Sequence, residues 1–140
     1  MPELLTTAFS TTALTAGLLL GAPAAGAQAA AYPTSSFDVT YGNTYTRGTI
    51  TWYNRQVVVS GEHKSVSATS CRGTTAFGVD SQNHDVAVNF SDHGVCGASA
   101  KFSFPVTFYQ AGVGVVRICL DNGAEHPPVA YLKCARYGRP

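Results

Sequence analysis

The sequence predicts an all-β protein: an antiparallel β-sandwich of immunoglobulin-like or jelly-roll type, held by two disulfides. Three observations carry that expectation. Downstream of residue 37, apolar and polar residues alternate in about eight short bursts spaced roughly ten residues apart, the period of half-buried strands. Gly, Asn, Ser and Pro punctuate the bursts, and no window beyond the leader carries a helical stripe of useful length. The cysteines, Cys71, Cys96, Cys119 and Cys134, form an even set in a small domain that follows an export leader.

The leader, residues 1–29, reads as a signal peptide. Ala13 to Ala22 is an apolar run containing Leu18, Leu19 and Leu20, and the following Ala27-Gln28-Ala29 has the small-x-small form of a cleavage site. At about ten residues the run is too short to persist as a bilayer anchor. Glu3 precedes it with no Lys or Arg, a departure from the positive start usual in such signals. Cleavage after Ala29 would leave Ala30–Ser36 as a flexible extended tail and residues 37–140 as the sandwich domain, secreted to the extracellular space. Such a tail could add to a partner's sheet or groove.

Composition narrows the function classes. Charged residues are 12% of the chain, about half the usual share, while the hydrophobic fraction of 45% rules out disorder. The formal charge of +1 and nine scattered basic residues provide no footprint for nucleic acid. No second apolar segment approaches membrane-spanning length, so no membrane association is expected once the leader is removed.

Taken in order, Phe37, Val39 and Tyr41 share one parity and open the domain. In Thr49 to Ser60, an Asn54-Arg55 turn sets Trp52 opposite Val57 and Ile50 opposite Val59. Cross-strand partners share a side, so these four belong to the core, and Thr49, Thr51, Tyr53, Gln56 and Ser60 take the other face. Phe77 and Val79 form the next burst. Val86, Val88 and Phe90 follow a Ser81-Gln82-Asn83 turn and read as one face. Phe102, Phe104, Val106 and Phe108 alternate with Lys101, Ser103 and Thr107, but Pro105 lacks a ladder N–H and marks an edge strand or a bulge. Val113 to Leu120 is apolar on both faces, as a central strand would be. Val129 to Cys134 supplies the last strand after the Pro127-Pro128 stop.

The cysteines lack the close spacing of zinc ligands, which leaves two disulfides and three connectivities. Cys71–Cys96 with Cys119–Cys134 is the expected pairing, because each bridge then closes a local excursion. One detail opposes it: Cys119 directly facing Cys134 would set Arg117 against Arg136. The bridge is therefore expected to join less regular strand ends.

Candidate chemistry is sparse. His63, His84, His93 and His126 invite a metal or catalytic reading, and His84 and His93 flank one strand beside Asp85 and Asp92. Adjacent strand residues point to opposite faces, however, so exposed loop histidines beside turn-forming aspartates are the plainer account. Asp80, Asn83 and Asp85 lack the oxygen spacing of a calcium hand. No G-x-S-x-G elbow occurs, and Glu62 and Glu125 are the only glutamates past the leader. No enzymatic activity, cofactor or metal is expected. Asn89-Phe90-Ser91 matches a glycosylation sequon, of consequence only in a eukaryotic host. Among the aromatics Tyr41, Tyr45, Trp52 and Tyr53, assigning Trp52 to the core leaves Tyr45, Tyr53 and the neighbouring Arg55 as candidate binding residues, suited to protein or carbohydrate.

The stretch Gly48-Thr49-Ile50-Thr51-Trp52-Tyr53-Asn54-Arg55, followed by Val57-Val58-Val59-Ser60-Gly61, resembles a family of small exported proteins of streptomycetes and related actinomycetes. The resemblance extends in layout to the signal peptide, the T-W-Y-N-R hairpin, four cysteines and many short strands. It implies a secreted location and a compact β-fold. One role it implies is that of the small adaptor subunit of streptomycete umbrella toxin particles, linking a lectin subunit to a large repeat-containing toxin. The expectation is thus a secreted, non-enzymatic binding or adaptor protein that contacts another extracellular macromolecule. The alternative is a secreted inhibitor of a protease or amylase, with the Tyr53–Arg55 tip inserted into an enzyme cleft.

Overall fold

The computed structural model describes residues 31–125 and 129–140. The expected signal peptide and its cleavage site, Ala30, His126 and the Pro127-Pro128 stop lie outside the described residues. Within them the chain forms β1 (Thr34–Tyr41), β2 (Thr44–Trp52), β3 (Gln56–Lys64), β4 (Cys71–Val79), β5 (Asp85–Phe90), β6 (Val95–Cys96), β7 (Ser99–Thr107), β8 (Val115–Asp121) and β9 (Tyr131–Gly138). One sheet has four strands in the order β1-β2-β3-β7; the other runs β5-β4-β8-β9, with the short β6 paired to β4. All pairings are antiparallel. The protein is an all-β sandwich with two disulfides, Cys71–Cys96 and Cys119–Cys134. Paired thiols fit an oxidising compartment. No helix among the described residues is long and apolar enough to cross a membrane.

The hairpin register is the one that alternation dictates. Trp52 pairs with Val57 and Ile50 with Val59, and all four are wholly buried. Their alternation puts these apolar side chains on the inner face, where they meet Phe37, Val39, Phe104 and Val106 of the same sheet and Ala76, Val116, Ile118 and Leu120 of the opposite one. The Trp52 indole N–H donates to Ser35 Oγ at 2.9 Å, and that hydroxyl donates to the Gly138 carbonyl at 2.8 Å. Burial of the ring is therefore matched by a satisfied donor. Gly48 and Gly61 face each other across β2 and β3, and a Cβ on either would overlap a carbonyl oxygen of the facing strand, that of Ser60 or of Arg47. Only glycine allows the two backbones this approach.

Four details differ from the sequence expectation. First, Thr34–Ser36 are not tail: they belong to β1 and pair with Thr49–Thr51, and the Pro33 carbonyl accepts the Trp52 N–H at 2.9 Å. The polar Thr-Ser-Ser run hid this, because Thr34 and Ser36 belong to a hydroxyl-rich outer face while Ser35 turns inward to meet the Trp52 indole. Second, Val86, Val88 and Phe90 do not share a core face. Gly78 pairs with Ala87 but Val79 with Asp85, so Val86 is the extra residue of a bulge. The bulge turns Val86 toward the core and leaves Val88 and Phe90 exposed at 58% and 49%. Third, Cys119 does face Cys134 in regular ladder, and Arg117 does face Arg136. The like charges are relieved because each guanidinium turns to its own acceptor, Arg117 to Asp85 and Arg136 to Asn83. Fourth, His63 is not a loop histidine. It lies on β3 and is 1% exposed.

Pro105 sits on β7 at the edge of its sheet, as its missing N–H requires. Side chains bridge both seams between the sheets. The Tyr137 hydroxyl donates to the Asp38 carbonyl at 2.9 Å and accepts its N–H at 3.1 Å, joining β9 to the edge of β1. Asn89 spans β5 and β7, donating from Nδ2 to the Pro105 carbonyl at 2.7 Å and accepting the Phe90 N–H at 2.9 Å. The nitrogen of the sequon asparagine is thus engaged within the fold.

Candidate contact surface

The outer face of the second sheet carries a continuous apolar strip. Val88 on β5 pairs directly with Phe77 on β4, and the Phe77 ring meets Tyr131 of β9 edge-on at 5.6 Å between centroids. Phe90 lies one pleat away from Val88, opposite Thr75. Beneath the strip Cys119 is fully buried and bonded to the exposed Cys134, which holds β9 against β8. The Arg117 guanidinium stacks over Phe77 at 4.3 Å and donates to Asp85 at 2.6 Å. Arg136 faces it on β9. Two arginines beside exposed Phe, Tyr and Val make the residue mixture found at the centres of protein interfaces. An alternating strand would ordinarily place polar groups here. A signal was therefore present, since Phe77, Val79 and Val86 to Phe90 are too apolar for one-sided burial, but the bulge that sorts the faces was not legible.

The predicted site residues do not come together. Tyr45 and Tyr53 share the outer face of the first sheet but lie eight residues apart on nearly straight chain, about 26 Å at strand rise. Tyr45 is engaged: its hydroxyl donates to Glu62 Oε1 at 2.5 Å and Arg47 stacks on its ring at 3.5 Å. The Glu62 hydrogen bond raises its pKa above the ordinary 10.0. Tyr53 and Arg55 do share the β2–β3 tip, which is braced by the Phe108 N–H donating to the Arg55 carbonyl at 2.7 Å. Tyr32 packs on Tyr53 with centroids 4.3 Å apart, a contact with no signal in the local pattern. Arg55 and Tyr32 are exposed, and Tyr109, 88% exposed, follows Phe108.

The acidic and histidine candidates separate likewise. His84 contacts Asp80 at 3.6 Å beyond one end of β5, and His93 contacts Glu125 at 3.4 Å beyond the other. Asp85 is taken by Arg117. Asp80 accepts the N–H groups of His84 and Gln82, which hold its carboxyl below the usual range, so the Asp80–Asp85 segment is built as an Asx turn. No set of three or more metal-ligating side chains is gathered among the described residues.

His63 belongs to a buried polar knot between the sheets. Its Nδ1 lies 3.1 Å from Thr74 Oγ1, which is 2.7 Å from Thr46 Oγ1, while the imidazole stacks on Phe102 at 5.0 Å. Nε2 is buried without a partner among the described residues. Burial drives the His63 pKa below its ordinary 6.5, against the opposing negative charges of Asp121 and Glu62. The native state therefore resists a proton that the unfolded chain accepts near pH 6.5. Stability is complete above that pH, falls as the pH drops below it, and levels off beneath the depressed native value. Urea denaturation at about pH 7.5, 6.5 and 5.5 should show this loss, and His63→Phe should flatten the slope across that window.

Comparison of the chain with protein-family models, with curated proteins and with solved structures found no match.

Proposed function

We propose that this protein is a secreted, non-enzymatic binding protein whose work is to hold another extracellular protein. The observation that supports this best is the strip of exposed Val88, Phe90 and Tyr131 around half-buried Phe77, beside Arg117 and Arg136, lying on a sheet face stapled by Cys119–Cys134. Monomeric proteins seldom leave such a strip on a rigid, regular face without a partner to cover it. Its most specific form is the adaptor role that the T-W-Y-N-R resemblance implies, in which the domain links subunits of a toxin particle.

Affinity-tagged protein recovered from culture medium should retain a stoichiometric partner, and Phe90→Asp with Tyr131→Ser should weaken retention at least tenfold without lowering thermal stability. A partner retained equally well by that variant would remove the strip from the reading. The inhibitor alternative has its own support in the braced Tyr53–Arg55 tip, a rigid projecting loop of the kind that fills clefts. It expects stoichiometric inhibition of a secreted hydrolase that Tyr53→Ala abolishes and the strip variant leaves intact.

A further inference from the structure

The first sheet is unfinished at one edge. Arg55 and Phe108 are opposite one another at the end of the β3–β7 ladder, and the Phe108 N–H donates to the Arg55 carbonyl. In an antiparallel ladder such hydrogen-bonded pairs recur at every second residue, so Val106, Phe104 and Phe102 also bond to β3. The intervening residues Ser99, Lys101, Ser103 and Pro105 then turn their backbone groups away from the sheet. Pro105 has no N–H, and its carbonyl is taken by Asn89. Ser99, Lys101 and Ser103 have no backbone partner on that side among the described residues. A groove runs alongside them, lined by Ser91, Asp92, His93, Lys101, Phe102 and Ser103.

The rows of the sheet state what a further strand should carry. On the outer face one row reads Asp38, Arg47, Glu62, Lys101, alternating in sign from strand to strand, with Arg47 3.4 Å from Asp38. The adjacent row reads Ser36, Thr49, Ser60, Ser103, hydroxyl throughout, with Ser60 and Ser103 2.7 Å apart. Lys101 ends its row and forms no ion pair among the described residues. Between these rows Phe102 faces inward and remains half-buried beside the groove.

We infer that β7 accepts an extended segment of a partner protein as a fifth strand across Ser99–Ser103, one with an acidic residue opposite Lys101, hydroxyl residues two positions to either side and apolar residues between. The backbone ladder supplies affinity and the alternating side chains supply choice. A second copy of β7 fits poorly, because centring it on Lys101 would set lysine against lysine.

The fifth strand rests on the binding reading and gives it a second surface. The probe is a capped peptide containing Thr-Val-Glu-Val-Thr, titrated into the isotopically labelled mature protein. The Lys101 and Ser103 amides should shift and gain protection from hydrogen exchange. A Thr-Val-Lys-Val-Thr peptide should bind at least tenfold more weakly, and Lys101→Glu should reverse that preference. Ser103→Pro, which removes the outward N–H, should abolish binding while the circular-dichroism spectrum is unchanged, whereas Ser103→Ala, which removes only the hydroxyl that meets Ser60, should retain it. Absence of binding, a preference that Lys101→Glu does not reverse, or a dimer that Ser103→Pro dissolves would each overturn the inference. Retention of a partner through the aromatic strip would survive any of those results, so the two readings fail separately.

Discussion

Replacing Trp52 with alanine is expected to cost about 3–5 kcal/mol, the range for deleting a large aromatic side chain from a packed core. The ring is 0% exposed, lies between Ile50 and Val57 on the inner face, and is tied to the opposite sheet through Ser35 and Gly138. Its loss leaves a void that a two-layer sandwich closes poorly, because each sheet is held rigid by its own ladder. For a domain of this size, each kcal/mol lowers Tm by about 4–8 °C, so the melting temperature should drop by roughly 15 °C or more. Trp52→Phe should recover most of that, leaving the smaller deficit of an unfilled rim and a Ser35 hydroxyl without its indole donor. Differential scanning calorimetry of the three proteins checks the order. A loss under about 1 kcal/mol for alanine would mean the inner layer is not packed as described.

Removing the Cys119–Cys134 bridge, as Cys119→Ala with Cys134→Ser, is expected to cost about 3 kcal/mol in the chain-entropy model for a separation of 15 residues. The effect should exceed simple destabilisation. β9 is an edge strand joined to the sheet on one side by β8, and it brings Tyr131 and Arg136 to the contact strip. Without the bridge, amides of β9 should exchange faster than those of β4 and β8. Partner retention should fall even at temperatures where the domain stays folded. Guanidinium denaturation measures the first effect and hydrogen exchange the second; uniform exchange across β4, β8 and β9 would show that the bridge acts on the unfolded chain alone.

Legibility followed the range of the interaction. The β2–β3 hairpin was readable because turn residues and alternation lie close together in the chain and agree: one register buries Ile50, Trp52, Val57 and Val59 together. Pro105 was readable because a missing N–H is a property of the residue itself. The contact strip was not, since one extra residue at Val86 reverses every side chain after it, and nothing in the local pattern marks the insertion. His63 was misplaced for a related reason. Its neighbours Glu62 and Lys64 are polar, but the Thr46 and Thr74 hydroxyls that make its burial tolerable come from other strands.

By itself, then, the chain determined its class: strand periods, turn positions, a core hairpin and the chemistry of its cysteines, all set by near-neighbour sterics and alternation. Only the tertiary structure decided which side of each strand meets water, which arginine finds which acceptor, and which edge is left without a strand. Those outcomes depend on register between segments distant in sequence, and register is an energy of pairs that no single segment contains.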